Sequence, residues 1–194
     1  MKHYFTVLTF CLIVISCQNQ NSDIELTYLG TAGWVIKDEA TKVLVDPYLS
    51  RIKLVGMSTS SKISKTAQNR DWGSDDRKKY FRDDRFEPDT SLINSMIDSN
   101  IIDSSSYIFV HHTHFDHAAD VPYIAKKTGA RVIGTESLSN LLKAHGLPEK
   151  QIITVKGGED YDFENFSVKV IPSLHSALRD KQYFSSESIP QNIK

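Results

Sequence analysis

Cysteine is nearly absent from this chain of 194 residues: only Cys11 and Cys17 occur. Cys11 lies inside an apolar N-terminal run, so a chain that has lost its leader would keep Cys17 alone and could form no internal disulfide. The same shortage restricts metal chemistry. Any metal site must be built from imidazole and carboxylate groups, not thiolates. Net charge is equally scarce. The formal value is -1, which gives no bulk electrostatic case for binding nucleic acid or another polyanion. No apolar run reaches the roughly 20 residues that a spanning helix needs. Internal repeats and low-complexity tracts are also missing. What remains is the composition of an ordinary globular protein, 40% hydrophobic and 24% charged, in a chain long enough for one domain with a real core.

The N-terminus reads as a targeting segment. MKHYFTVLTFCLIVISC begins with Lys2 and His3 and continues with an apolar stretch from Tyr4 to Ile15, the make-up of a secretory signal. Its end, Val14-Ile15-Ser16-Cys17, resembles a bacterial lipobox, in which a small residue precedes a cysteine that is lipidated and becomes the new N-terminus. Residues 1–16 would then be the leader and 17–23 a polar tether. The location implied is the cell envelope, anchored to a membrane through Cys17 on the periplasmic side or in the outer membrane. The alternative is a plain signal peptide with an incidental cysteine.

Past the tether, short strand signals crowd together. Ile24–Leu29 alternates, Gly30-Thr31-Ala32-Gly33 turns, Trp34–Lys37 resumes, and Lys42–Val45 stops at Asp46-Pro47. Period and punctuation predict a β-meander. Residues 51–89 differ. They are polar, with both charge signs interspersed, and read either as a solvated surface excursion or as a lid carrying Trp72, Tyr80, Phe81 and Phe86. Its basic residues mildly favour an anionic substrate, and the acidic ones beside them cancel most of that argument. Helix and strand then alternate. A helix runs from an Asp89-Thr90 cap to about Asp98, a strand over Tyr107–Val110, a helix over Ala118–Lys127 closed by Gly129, and a strand over Arg131–Gly134. Thr135–His145 is a helix closed by Gly146, Ile152–Val155 a strand, and Tyr161–Phe163 with Phe166–Ile171 a hairpin. A meander followed by β-α-β units predicts a mixed α/β sandwich.

The chemistry concentrates in HHTHFDHAAD, residues 111–120. His112 and His114 lie two apart, and on an extended segment residues i and i+2 face the same way, so both rings can reach one ion. Asp116 and His117 follow where strand turns into helix, and can be aimed at a second point. Imidazole and carboxylate suit Zn²⁺, with Mn²⁺ and Fe²⁺ also open. A surface histidine-rich stretch is the bland alternative, but the specified string H-x-H-x-D-H between a strand and a helix is far from a lone histidine. His111 points away from His112 on a strand and reads as structural or as a support to the ligands. His145 ends a helix, where a cation suits the dipole, and has no chemical role. Asp46 is either a carboxylate that orients a ligand histidine or a plain turn residue.

His112, His114, Asp116 and His117 after the strand YIFV make the chain resemble the metallo-β-lactamase superfamily. YLGTAGWVI and VLVDPYLS are similar to the opening strands of its ascorbate-6-phosphate-lactonase-like branch. The resemblance runs from about Ile24 to the C-terminus and is specific for the superfamily, not for a substrate. It implies a four-layer αββα sandwich over residues 24–194 with one or two metal ions between the sheets. His112, His114 and His175 would bind the first, and Asp116 and His117 would bind or face the second. It also implies hydrolysis of an ester, lactone, amide or phosphodiester by metal-activated hydroxide, with Asp116 as the catalytic group that orients the water or takes its proton. The substrate would be a small molecule or lipid-derived. The family pattern also asks for a later carboxylate and a last histidine, and past His175 no histidine follows. The second half of the fold is therefore expected to be incomplete. A catalytically silent metal-binding or interaction lipoprotein is the competing reading.

Overall fold

The computed structural model describes residues 23–54, 79–80, 84–103 and 107–173. The leader, Cys17, most of the 51–89 excursion and His175 lie outside the described residues. Strands β1 (Glu25–Gly30), β2 (Gly33–Lys37) and β3 (Lys42–Val45) form the antiparallel meander. Three parallel strands extend it: β6 (Tyr107–Phe109), β7 (Arg131–Gly134) and β8 (Ile152–Thr154). The result is one six-stranded sheet in the order β1-β2-β3-β6-β7-β8. A ribbon of β4 (Lys53–Leu54) with β5 (Lys79–Tyr80) lies at the base of the excursion. The excursion's two ends are also joined, since Ser50 Oγ accepts a hydrogen bond from the Asp89 backbone N–H at 2.7 Å.

The helices form where the sequence carries start and stop signals. Helix α1 (Thr90–Asp98) is capped by the Asp89 carboxylate, which accepts from the Leu92 N–H at 2.9 Å. Helix α4 (Glu136–Ala144) starts after Thr135 and ends on His145. The helix expected over Ala118–Lys127 begins three residues later, as α3 (Val121–Thr128), and a separate short helix, α2 (Phe115–Ala118), precedes it. Pro122 sits in the first turn of α3. It has no N–H to continue a preceding helix, and its ring clashes with the carbonyl one turn back, so a proline here starts a helix and breaks one that runs through it. Gly129 closes α3 in the left-handed conformation at φ 76°.

One sheet face and the helices share a single core. Val35, Leu44, Ile108 and Val132 project from neighbouring strands onto Ile93, Ile124, Leu138 and Leu142. The opposite face is also apolar, as the register shows: Leu26 pairs with Ile36, Ile36 with Val43, Val45 with Phe109, and Phe109 with Ile133. A hairpin of β9 (Asp160–Asp162) and β10 (Ser167–Lys169) packs against part of it, with the Tyr107 ring 4.8 Å from Phe163 and 5.1 Å from Phe166. A cavity of about 870 Å³ lies between that hairpin and the sheet, with His111 and His112 in its wall. This is the expected mixed α/β architecture: helices on one face of a central sheet and a β-hairpin against the other. Among the described residues no helix is long and apolar enough to cross a membrane.

Ile108 is fully buried beneath the strand that feeds the histidines. Ile108→Ala should cost about 2–5 kcal/mol of stability, the usual cost of removing a large core aliphatic, read as a shift of the chemical-denaturation midpoint at unchanged slope.

Candidate metal centre

Parallel pairing brings the carboxyl ends of β3 and β6 side by side, with Val45 opposite Phe109. Asp46 and His111 therefore leave adjacent strands at one edge of the sheet, the position where open α/β sheets bind ligands. The Asp46 N–H continues the ladder to Phe109 O at 2.9 Å, and the Val110 N–H continues it to Ile133 O at 3.0 Å. Asp46 itself sits at φ 41°, an uncommon conformation for a residue other than glycine. Its carboxylate is wholly buried. Oδ1 accepts the His111 backbone N–H at 2.9 Å, and Oδ2 lies 2.6 Å from His111 Nδ1. Oδ2 also lies 2.8 Å from His117 Nδ1. That second contact lacks hydrogen-bond alignment, and His117 Nδ1 is buried with no hydrogen-bond partner.

The chain then stays extended to His114, whose ψ of 151° precedes α2. His112 Nε2 and His114 Nδ1 are 2.9 Å apart, with ring centroids separated by 4.4 Å. One turn of α2 carries the His117 ring back to 4.1 Å from His112. Two groups of donor atoms result, one made by His112 and His114 and one by Asp46, His111 and His117, and the His112–His117 contact joins them. Among the described residues, the trio Asp46, His111 and His117 is the group whose ligand atoms converge within 4.8 Å. Asp116 is half-buried in the first turn of α2 and is not part of that trio.

Electrostatics follow from these contacts. Burial works against the charge on Asp46, but the His111 ring and backbone N–H, with the His117 ring beside them, outweigh it and hold the carboxyl below its ordinary range. The Asp46 contact conversely raises His111 above its ordinary value, against partial desolvation. His145 ends α4 as expected, and partial desolvation, helped by the charges of Lys126 and Arg85, lowers its pKa.

The donor set fits a divalent ion. It offers imidazole nitrogens and a carboxylate held in its charged form, and His117 Nδ1 is a buried polar atom with no hydrogen-bond partner. Tetrahedral zinc with bonds near 2.0–2.1 Å sets its ligand atoms about 3.3 Å apart, so separations of 2.6 to 2.9 Å need only small side-chain adjustment. The sequence left the role of Asp46 open and set His111 aside. The signal that joins them is the adjacency of β3 and β6, which local patterns do not contain.

A family profile described as a β-lactamase superfamily domain matches residues 25–189. A UPF0173 metal-dependent hydrolase from Thermoplasma volcanium is 38% identical over 76 residues, which is 39% of this chain and 33% of the relative. Its counterpart from Staphylococcus aureus strain JH9 is 40% identical over 72 residues, or 37% of this chain and 31% of the relative. The chain thus spans about a third of the length of the curated relatives it matches. A solved structure of Igni18, a metallo hydrolase from Ignicoccus hospitalis, is 15% identical and covers 82% of this chain and 52% of its own, with a TM-score of 0.46.

The Asp46–His111 pair gives the metal-free protein a defined pH dependence. Asp46, lowered from 3.8, stabilises the fold above that value and stops doing so as pH falls through its folded pKa. His111, raised from 6.5, stabilises fully below that value and stops as pH rises through its folded pKa. The difference in Tm between wild type and Asp46→Asn, measured by calorimetry with chelator present, should be greatest between these limits and shrink on both sides.

Proposed function

The chain belongs to the β-lactamase superfamily, and from that premise we propose that it is a metal-dependent hydrolase whose ion is held by His112, His114 and His117. The observation that carries this reading is the buried Asp46 carboxylate between two imidazoles. His117 Nδ1 lies 2.8 Å from that carboxylate and its ring 4.1 Å from that of His112, so its other nitrogen is available to an ion shared with His112, and a carboxylate beside a ligand histidine raises its basicity. Asp46 can also enter the coordination sphere directly, with His111. His175 and Asp116 are the further ligand candidates, and Asp116 is the group proposed to take a proton from the attacking water. Zinc suits this donor set, and Mn²⁺ and Fe²⁺ are compatible with it.

The ion supplies a Lewis acid and makes water nucleophilic near neutral pH. The chain's own groups position and screen. Asp46 holds His111 at the rim through its ring and backbone N–H and stands 2.8 Å from Nδ1 of His117. Val110 and Phe109 anchor the strand end through the sheet ladder. The cavity beside His111 and His112 gives a substrate room next to the ion and has a largely apolar wall. An ester, lactone, amide or phosphodiester would fit this chemistry. Cys17 is proposed to anchor the protein in the cell envelope, on the strength of the Tyr4–Ile15 run and the Ser16-Cys17 junction.

Purified protein should contain a stoichiometric divalent metal, and His112→Ala combined with His114→Ala should remove it. Retention of the metal by the double mutant would defeat the assignment. Turnover of ester, lactone or phosphodiester panels should fall by on the order of 10³-fold or more in that mutant, because a Lewis acid contributes several kcal/mol to such transition states. Metal without turnover in wild type would make this a binding protein. For the anchor, Cys17→Ser or globomycin should release the protein from membranes.

A further inference from the structure

A second buried carboxylate lies outside the histidine cluster. Asp120 lies between α2 and α3 and is wholly buried. Its Oδ2 accepts the backbone N–H groups of Leu49 at 2.6 Å and Ser50 at 2.7 Å, and its Oδ1 accepts the Ser50 hydroxyl at 2.5 Å. All three donors belong to the segment that leaves Asp46. That segment begins in an unfavourable conformation: Asp46 has φ 41° and precedes Pro47, and a residue before proline is pushed towards extended backbone. Such a conformation persists only when its surroundings over-determine it. The ladder bond from Asp46 to Phe109 fixes the segment at its start, and Asp120 fixes it three and four residues later.

We propose that Asp120 is a positioning residue of the metal centre: by clamping residues 49 and 50 it holds Asp46 at the angle that aims its carboxylate at His111 and His117. The clamp works by geometry and not by charge. All its donors are neutral, and burial pushes the Asp120 carboxyl above its usual range despite the hydrogen bonds from Ser50 and Leu49. An amide can therefore replace the carboxylate. Its oxygen would keep both backbone N–H groups, and its NH₂ would donate to Ser50 Oγ, which can turn to accept. The inference deepens the metal-site reading and rests on it only for its effect on metal affinity.

Amide hydrogen exchange of the metal-free full chain tests the clamp. The His111 N–H bonds to Asp46 Oδ1 and reports the carboxylate's position, while the neighbouring Val110 N–H bonds to Ile133 O and reports the stability of the sheet. In Asp120→Ala the His111 amide should exchange about tenfold faster relative to Val110, as local opening does. Asp120→Asn should leave the ratio unchanged. Equal acceleration of both amides, no change in either, or failure of the Asn variant to rescue would each overturn the proposal. Competition with a chromophoric chelator should in parallel show zinc affinity about tenfold or more lower in Asp120→Ala and retained in Asp120→Asn. Lys42→Met is the control. It breaks the buried pair with Asp103 at the opposite end of β3 and should lower Tm without changing zinc affinity. If zinc affinity instead falls with Tm in Lys42→Met as in Asp120→Ala, the effect is general loss of stability and the proposal is overturned. If wild type binds no metal while the His111 exchange result holds, the functional reading fails and the positioning inference survives.

Discussion

A carboxylate removed from water must be paired, because an uncompensated buried charge costs far more than its partners return elsewhere. Asp46 meets that requirement with one backbone N–H and two imidazole rings, all from residues 111 to 117. The requirement fixes more than the site. It needs β3 and β6 to be neighbours, to run parallel, and to end at the same level. A slip of one residue between them would point Asp46 at the wrong partner and turn either Leu44 or Ile108 out of the core.

The foundation beneath this edge is the helix-side core. Leu44 and Ile108 sit directly before the site on their strands and are fully buried. Ala118 on α2, which also carries His117, and Val121 on α3 enter the same core. Asp120 stands at the start of α3, where its backbone carbonyl accepts the Ile124 N–H and its carboxylate reaches Leu49 and Ser50.

Much of this was legible in local sequence. The strand Lys42–Val45, the cap at Asp89 and the stop at Gly129 each have a residue-level cause, and the structure places each there. The spacing of His112 and His114 showed a shared face because period two needs no tertiary information. Asp46 and His111 are different. They lie 65 residues apart and meet only through strand order, which no window of the sequence encodes. Asp120 was hidden for the same reason, since its partners lie 70 and 71 positions away.

The two buried carboxylates illustrate how environment, and not residue type, assigns roles. Both are aspartates of the same edge, and both lose their water. Asp46 faces groups that can carry positive charge, and its pKa falls. Asp120 faces backbone amides and a hydroxyl, and burial, with the charge of Asp89 adding to it, raises its pKa. A group pushed towards the charged form is suited to hold cations, whether imidazolium or metal. A group for which burial disfavours charge is suited to hold geometry, where the number and direction of its hydrogen bonds matter and its charge does not. The separation also explains why the clamp can stand close to the site without competing for its ion: a carboxylate engaged on both oxygens by neutral donors has little left to offer a metal, whereas one oxygen of Asp46 is shared between two rings that an ion could replace.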